Sequence, residues 1–240
     1  VLLTILGCSG GLPGPDAAAS GYLLEADGFR LVVDLGSGAL AALQTRCDAF
    51  EVDALLLSRL CPDHCSDLTA LTVLRRYHTH PPYDTTARRL PVHAPGEAPD
   101  RFARAYAENA DELARTDLSD VFDFRPLDDG TIHIGPFEVV AARAGHGRAF
   151  GFRITAGAAS LAYPALSPVL PLAAGVDLLL AEAGRTGCPV GSSATAAGVR
   201  KVLLTHIEPW TDPQTVLTHA RAGFTGPVEL ARQGRSYRIG

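Results

Sequence analysis

The chain has 240 residues, 47% of them hydrophobic, enough to bury a substantial core as one large α/β domain or two small ones. Its formal net charge of −5, without a basic run, argues against nucleic acid as a non-specific partner, because nothing is in place to neutralise phosphates. No apolar stretch approaches the roughly 20 residues that a membrane-spanning helix needs, and five cysteines (Cys8, Cys47, Cys61, Cys65, Cys188) form no disulfide framework.

Residues 1–7 are too short and too poor in basic residues for a signal peptide, so the expectation is a reduced, cytoplasmic protein with no membrane partner. Residues 2–6 read instead as a first strand, running into the glycine-rich loop Gly7-Cys8-Ser9-Gly10-Gly11-Leu12-Pro13-Gly14-Pro15. No Lys-Ser/Thr pair follows and no helix opens directly after it, so it matches a phosphate loop poorly. A loop that lets backbone pass close to a site is the better reading. Residues 21–25 and 29–34 are strands around the hairpin turn Ala26-Asp27-Gly28.

A short helix over 39–46 and a strand over 53–58 come next, then a helix over 67–77 that turns Leu68, Leu71, Val73 and Leu74 toward a sheet. His78-Thr79-His80-Pro81-Pro82 has an H-x-H spacing, but it follows a helix and runs into two prolines, which predicts a solvated connection. Residues 90–94 form a strand carrying a packed or hydrogen-bonded His93, and residues 98–116 read as one amphipathic helix. Strands over 131–134 and 137–142 flank the turn Gly135-Pro136, and His146 lies in a glycine-flanked loop between two strands.

Further strands are expected over 160–163, 176–182 and 199–205, with a turn-rich stretch at 183–198. Asp212-Pro213-Gln214 opens a helix through Ala222, and 226–230 is expected to be the final core strand. Two β-rich blocks, each followed by helices and with no hydrophilic linker between them, predict two sheets packed face to face with helices outside. The expected unit is a single domain over 1–240.

The chemistry concentrates where the apolar run Leu55-Leu56-Leu57 breaks into Ser58-Arg59-Leu60-Cys61-Pro62-Asp63-His64-Cys65-Ser66-Asp67. Arg, Cys, Asp and His fall within six residues at the carboxyl end of a buried strand, where α/β proteins place their chemistry. The spacing resembles the S-H-x-H-x-D-H signature of the metallo-β-lactamase superfamily. Leu6-Gly7-Cys8-Ser9-Gly10-Gly11, Asp34-Leu35-Gly36, His146 before Phe150-Gly151-Phe152, and Thr205-His206 follow in the order expected of its ribonuclease-Z-like and phosphodiesterase-like branch. That resemblance implies a four-layer αββα sandwich of two mixed sheets, with the site along one edge of both. It also implies two metals, held by two early histidines, the Asp-His pair, a later histidine, a bridging aspartate and a last histidine.

Asp63, His64, His146 and His206 match their positions in that set. Arg59 and Cys61 replace the two early histidines, and Leu166 stands where the bridging aspartate would be. A dication beside Arg59 would meet Coulomb repulsion, so two metals are not expected. One zinc on Asp63, His64 and His206 is compatible, since three protein ligands and a water suffice for a catalytic site.

Three readings stay open at this point. A one-zinc hydrolase would cleave an ester, thioester or phosphodiester of a small molecule, with Arg59 binding the oxyanion or a substrate anion. A metal-free enzyme would run cyclisation, elimination or isomerisation with Asp63, His64, His146 and His206 converging as acid–base groups, Arg59 as anion binder and Cys61 as nucleophile. A binding pseudoenzyme would keep the cleft and lose the chemistry. Cys8 and Cys65 read as small buried residues and Trp210 as part of a pocket rim or core; the oligomeric state stays open, a homodimer being common in the resembling families.

Overall fold

The computed structural model describes residues 1–144, 149–164, 170–184 and 189–240. Period-two alternation sorts its apolar side chains into layers. Along β2 (Gly21–Ala26) and β3 (Phe29–Leu35), Leu24, Leu31 and Val33 join the core between the sheets. Their neighbours Leu23, Val32 and Leu35 join a second cluster that includes Leu40, Leu68, Leu71 and Phe102 from helices. On the other side of the molecule Ala162, Leu179, Val202 and Leu204 pack against Val190, Ala194, Leu217 and Ala220. Helices therefore cover both outer faces, as the αββα expectation requires.

The first seven-stranded sheet has the order β14-β1-β2-β3-β4-β5-β6, built from β1 (Leu2–Gly7), β2, β3, β4 (Ala54–Leu56), β5 (Leu90–Ala94), β6 (Phe122–Pro126) and β14 (Ser236–Arg238). The second seven-stranded sheet has the order β13-β12-β11-β10-β9-β8-β7. Its strands are β7 (Gly130–Ile134), β8 (Phe137–Ala144), β9 (Ala149–Ala156), β10 (Ala159–Tyr163), β11 (Leu178–Glu182), β12 (Val202–Thr205) and β13 (Val228–Leu230). Pairing is parallel from β3 through β6 and from β10 through β13, so several carboxyl ends line up along one edge of each sheet. Such an edge is where open α/β sheets bind ligands.

Local chemistry explains the boundaries. Asp27 and Gly28 both have positive φ (51° and 80°), the two-residue turn that matches strand twist in a hairpin. The Asp212 carboxylate accepts from the Gln214 and Thr215 backbone N–H groups and caps α8 (Pro213–Gly223). The helix over Asp67–Tyr77 is present as expected, and the H-x-H segment after it is exposed.

Several expectations are corrected. The helix expected over 98–116 is two helices, Ala98–Tyr106 and Ala110–Leu113, because Ala107 is extended and the Asn109 side chain caps a new turn on Glu112. The stretch 183–198 is not all turn: Val190–Ala197 is a helix whose small residues sit tightly on α8, where a Cβ on Gly191 would strike the Ala220 carbonyl. The strand β6 lies outside the expected elements. So does β14, which follows the expected final core strand and pairs antiparallel with β1, Leu2 opposite Arg238. Trp210 is 73% exposed and so is not core, and Cys8 is only half-buried while Cys65 is buried. Among the described residues no helix is long and apolar enough to cross a membrane.

Candidate active site

The site is assembled from the carboxyl ends of five strands. Asp34 is the penultimate residue of β3, Ser58 and Arg59 lie just after β4, and Tyr163 and Glu182 close β10 and β11. His206 follows directly on β12, and Asp63 and His64 sit in the short helix Pro62–Cys65 that the post-β4 loop enters. Two of these residues hold left-handed backbone, Asp34 with φ 56° and His206 with φ 56°. Outside glycine this conformation is uncommon, and it concentrates where a side chain must be aimed.

Close backbone approach aims them. The Gly10 N–H donates to the Ile207 carbonyl at 3.1 Å and the Ile207 N–H donates to the Cys8 carbonyl at 3.3 Å, which docks the glycine-rich loop on the His206 loop. A Cβ on Gly10 or Gly184 would collide with the His206 carbonyl, and one on Gly36 with the Asp63 carbonyl. These glycines are therefore required by contact. The glycine-rich loop serves the site through its backbone, as expected from its sequence.

Asp34 is the buried anchor, with 0% exposure. Its carboxylate accepts from the Ser58 backbone N–H at 2.7 Å, Ser58 Oγ at 2.8 Å, Tyr163 Oη at 2.9 Å and His64 Nδ1 at 2.7 Å. The last bond fixes the His64 ring and leaves Nε2 as its free nitrogen, the device by which carboxylates orient metal-binding or catalytic imidazoles. Tyr163 Oη also lies 3.0 Å from Glu182 Oε1, which ties β10 to β11.

Arg59 fills the middle of the site. It is 4% exposed, and both Nη1 and Nη2 lie 3.2 Å from Glu182 Oε2. Its Nη2 also contacts His64 Nε2 and lies 3.2 Å from His206 Nε2. The two imidazoles are stacked, with centroids 5.2 Å apart. Asp63 Oδ2 reaches the same two nitrogens, 3.0 Å from His206 Nε2 and 3.2 Å from His64 Nε2. Each Nε2 thus has both a cationic donor and an anionic acceptor within reach.

The electrostatics follow from that arrangement. Burial works against the Arg59 charge, but Glu182, with Tyr163 and Asp34 beyond it, outweighs burial and raises the Arg59 pKa. Burial likewise opposes ionisation of Asp63, and hydrogen bonds from His206 and His64 hold its carboxyl well below the usual range. At His64 burial lowers the pKa, but Asp34 and Asp63 overcome it and raise it to about 9, with Arg59 pulling the other way. Proton and guanidinium therefore compete for the same Nε2 lone pair.

Of the residues singled out in the sequence, Arg59, Asp63, His64 and His206 lie together. Among the described residues Asp63, His64 and His206 are the group able to hold a metal ion, with ligand atoms within 4.8 Å of one another. Cys61 is exposed and is not part of that group. His146 and Leu166 lie outside the described residues. Asp34, Tyr163 and Glu182 had been given no role in the sequence. The trace that Asp34 and Glu182 leave is that Leu31-Val32-Val33-Asp34 and Leu178-Leu179-Leu180-Ala181-Glu182 each end an apolar run on a lone acid, which marks a strand end and names no partner.

No protein-family model matches the chain. An uncharacterized protein of Mycobacterium tuberculosis is 40% identical over 259 residues, covering 100% of this chain and 92% of the relative. A protein of Bacillus subtilis described as the probable metallo-hydrolase YhfI is 26% identical over 250 residues, covering 97% of each. The solved structure of YhfI, described as a metallo-β-lactamase fold protein, superposes with a TM-score of 0.83 at 24% identity, covering 100% of this chain and 98% of that one. Human tRNase Z, short form, superposes with a TM-score of 0.72 at 18% identity, covering 100% of both chains.

Proposed function

The chain belongs to the metallo-β-lactamase superfamily, and we propose that it is a divergent enzyme of that superfamily whose site uses a guanidinium as its central cation. The reaction proposed is hydrolysis of an ester, thioester or phosphodiester in a small molecule. The observation that carries this reading is the position of Arg59, with Nη2 against the Nε2 atoms of both His64 and His206.

Superfamily membership implies a metal. The donor set of one carboxylate and two imidazoles has the right chemistry for a single zinc, which when bound would supply an acidified water. As the side chains stand, however, the two Nε2 atoms such an ion needs already face the Arg59 guanidinium. The group and the site do not fit while Arg59 holds that position, so the steps below use only the chain's own residues.

His206 and Asp63 are the more accessible members, with side chains 15% and 11% exposed against 0% for His64 and 5% for Arg59. Substrate reaches that pair first. Neutral His206 presents an Nε2 lone pair that Arg59 can meet, and protonated His206 donates from the same atom to Asp63 Oδ2 at 3.0 Å. Both protonation states have a partner in place, which suits a general base that must return its proton.

When the substrate oxygen takes over the Arg59 guanidinium, His206 Nε2 is released from it and accepts the proton of the water whose oxygen attacks the carbonyl carbon or phosphorus. The charge that develops on the substrate oxygen falls to Arg59, the kind of stabilisation that positioned donors supply for about 100- to 1,000-fold in rate. The leaving alkoxide or thiolate then takes the proton back from His206. Asp63 stays ionised throughout and orients the ring.

A second reading is favoured by the 4.8 Å ligand cluster itself: one zinc on Asp63, His64 and His206, with Arg59 turned out of the site. The test is turnover of chromogenic carboxylic esters, thioesters and phosphodiesters by the purified protein before and after exhaustive chelation. The proposal expects turnover that survives chelation and disappears in His206→Ala. Turnover abolished by the chelator and restored by zinc supports the second reading, and full turnover in His206→Ala contradicts both.

A further inference from the structure

Arg59 is held in place by more than the histidines. Its guanidinium puts two nitrogens on Glu182 Oε2, both at 3.2 Å, while the other oxygen of Glu182 lies 3.0 Å from Tyr163 Oη. Tyr163 is in turn fixed by Asp34 Oδ2 at 2.9 Å, and Tyr163 and Asp34 are both 0% exposed. The backbone is pinned as well: the Phe150 N–H donates to the Ser58 carbonyl at 2.8 Å, and Arg59 bridges to Ala149. Turning the side chain out would strand Glu182, whose side chain is 10% exposed, without its cation. Removing one partner of a buried ion pair is costly for that reason.

We propose that the Arg59–Glu182 ion pair closes the Asp63–His64–His206 ligand set to divalent metal, and that removing the guanidinium turns those three side chains into a single metal site. The inference rests on the reading of Arg59 as the resident cation. Metal and guanidinium need the same atoms, His64 Nε2 and His206 Nε2, and they carry the same sign of charge. Everything else a site requires stays behind when Arg59 is removed. Asp34 on Nδ1 keeps His64 in the orientation that presents Nε2. Asp63 Oδ2 remains within 3.2 Å of both Nε2 atoms. Glu182 is released as a further carboxylate nearby. The cation class this set selects is a first-row divalent ion such as zinc or cobalt(II), since mixed imidazole and carboxylate ligands suit these ions.

Zinc titration by calorimetry, with cobalt(II) visible absorption as an independent readout, tests this without any substrate. A failed hydrolysis assay therefore leaves this inference standing, and a failed titration leaves the hydrolytic reading to its own test. Wild-type protein is expected to show neither heat of zinc binding nor cobalt absorption. Arg59→Ala is expected to take about one equivalent of each ion, with affinity raised about 100-fold or more, as removal of a unit positive charge a few Å from a dication implies. Arg59→Ala combined with His206→Ala is expected to lose it again. Should Arg59→Ala fail to fold around the stranded carboxylate, Arg59→Ala with Glu182→Gln removes that charge and is titrated in its place. Stoichiometric zinc on the wild-type protein overturns the proposal, and so does a folded Arg59 variant that binds no better than wild type.

Discussion

Asp34 Oδ2 and His64 Nδ1 lie 2.7 Å apart, both side chains wholly buried, joining the end of β3 to the short helix after β4. The same carboxylate collects Ser58 and Tyr163, so one acid orients the histidine and links the two sheets. Asp34→Asn keeps the size and the tolerance for left-handed backbone, but it turns an N–H₂ toward groups that are already donors. The expected loss is about 2–3 kcal/mol, the scale of a hydrogen bond to a charged group with its partner left unsatisfied. Urea unfolding of the variant against wild type measures it.

Arg59→Lys preserves the charge and removes the fork. A single ammonium cannot place two nitrogens on Glu182 while reaching both imidazoles, so the change is not conservative here. The variant is expected to fold and to lose about 100-fold in kcat, with little change in KM, if Arg59 acts on charge that develops in the transition state. Steady-state kinetics on whichever chromogenic substrate turns over checks the split.

Gly36 permits the contact that seats Asp63. The Gly36 N–H donates to the Ser20 carbonyl at 2.8 Å and the Ser20 N–H to the Asp63 carbonyl at 3.1 Å, and no Cβ fits between these chains. Gly36→Ala is expected to cost about 1–3 kcal/mol as an overpacking change and to lower activity by shifting Asp63. Gly96→Ala is the control: its new Cβ would meet only Pro126 Cβ, at 4.0 Å, and it is expected to be near neutral. Thermal unfolding of the two variants side by side separates contact from glycine replacement as such.

His93 gives the fold an acid-side liability away from the site. Burial first, and Arg125 second, push its pKa down from 6.5 to about 4, and its Nε2 has no hydrogen-bond partner among the described residues. The unfolded chain binds a proton that the folded one excludes, so stability falls as pH drops from 6.5 to about 4 and this contribution is constant below. The loss amounts to up to about 3 kcal/mol. The difference in unfolding free energy between His93→Leu and wild type, followed from pH 7.5 to pH 4, is expected to trace that window.

Much of this was legible in the chain. Leu23-Leu24 and Leu31-Val32-Val33 alternate between two cores, and that alternation is what a two-faced sheet writes into a sequence. Asp27-Gly28 and Asp212-Pro213 announce their turn and cap by local chemistry alone. The less visible elements lack such signals. The helix Val190–Ala197 is made of small residues chosen for close approach to α8, and β14 is three residues whose only large buried side chain is Tyr237. In the site, Asp63, His64 and His206 were readable through the family resemblance, by matching its ligand positions in order. Glu182 was not, because it meets Arg59 across 123 positions of sequence and owes its role to that meeting.

The Arg59 guanidinium lies against both Nε2 atoms, and we propose that it holds that place against a metal ion. Diffraction at the zinc absorption edge, from crystals of the wild-type protein grown with zinc, tests it most directly. Ordered density for Arg59 between His64 and His206, with Glu182 behind it and no anomalous peak beside Asp63, is the result predicted. A strong anomalous peak bonded to Asp63, His64 and His206, with Arg59 turned away from Glu182, would contradict it.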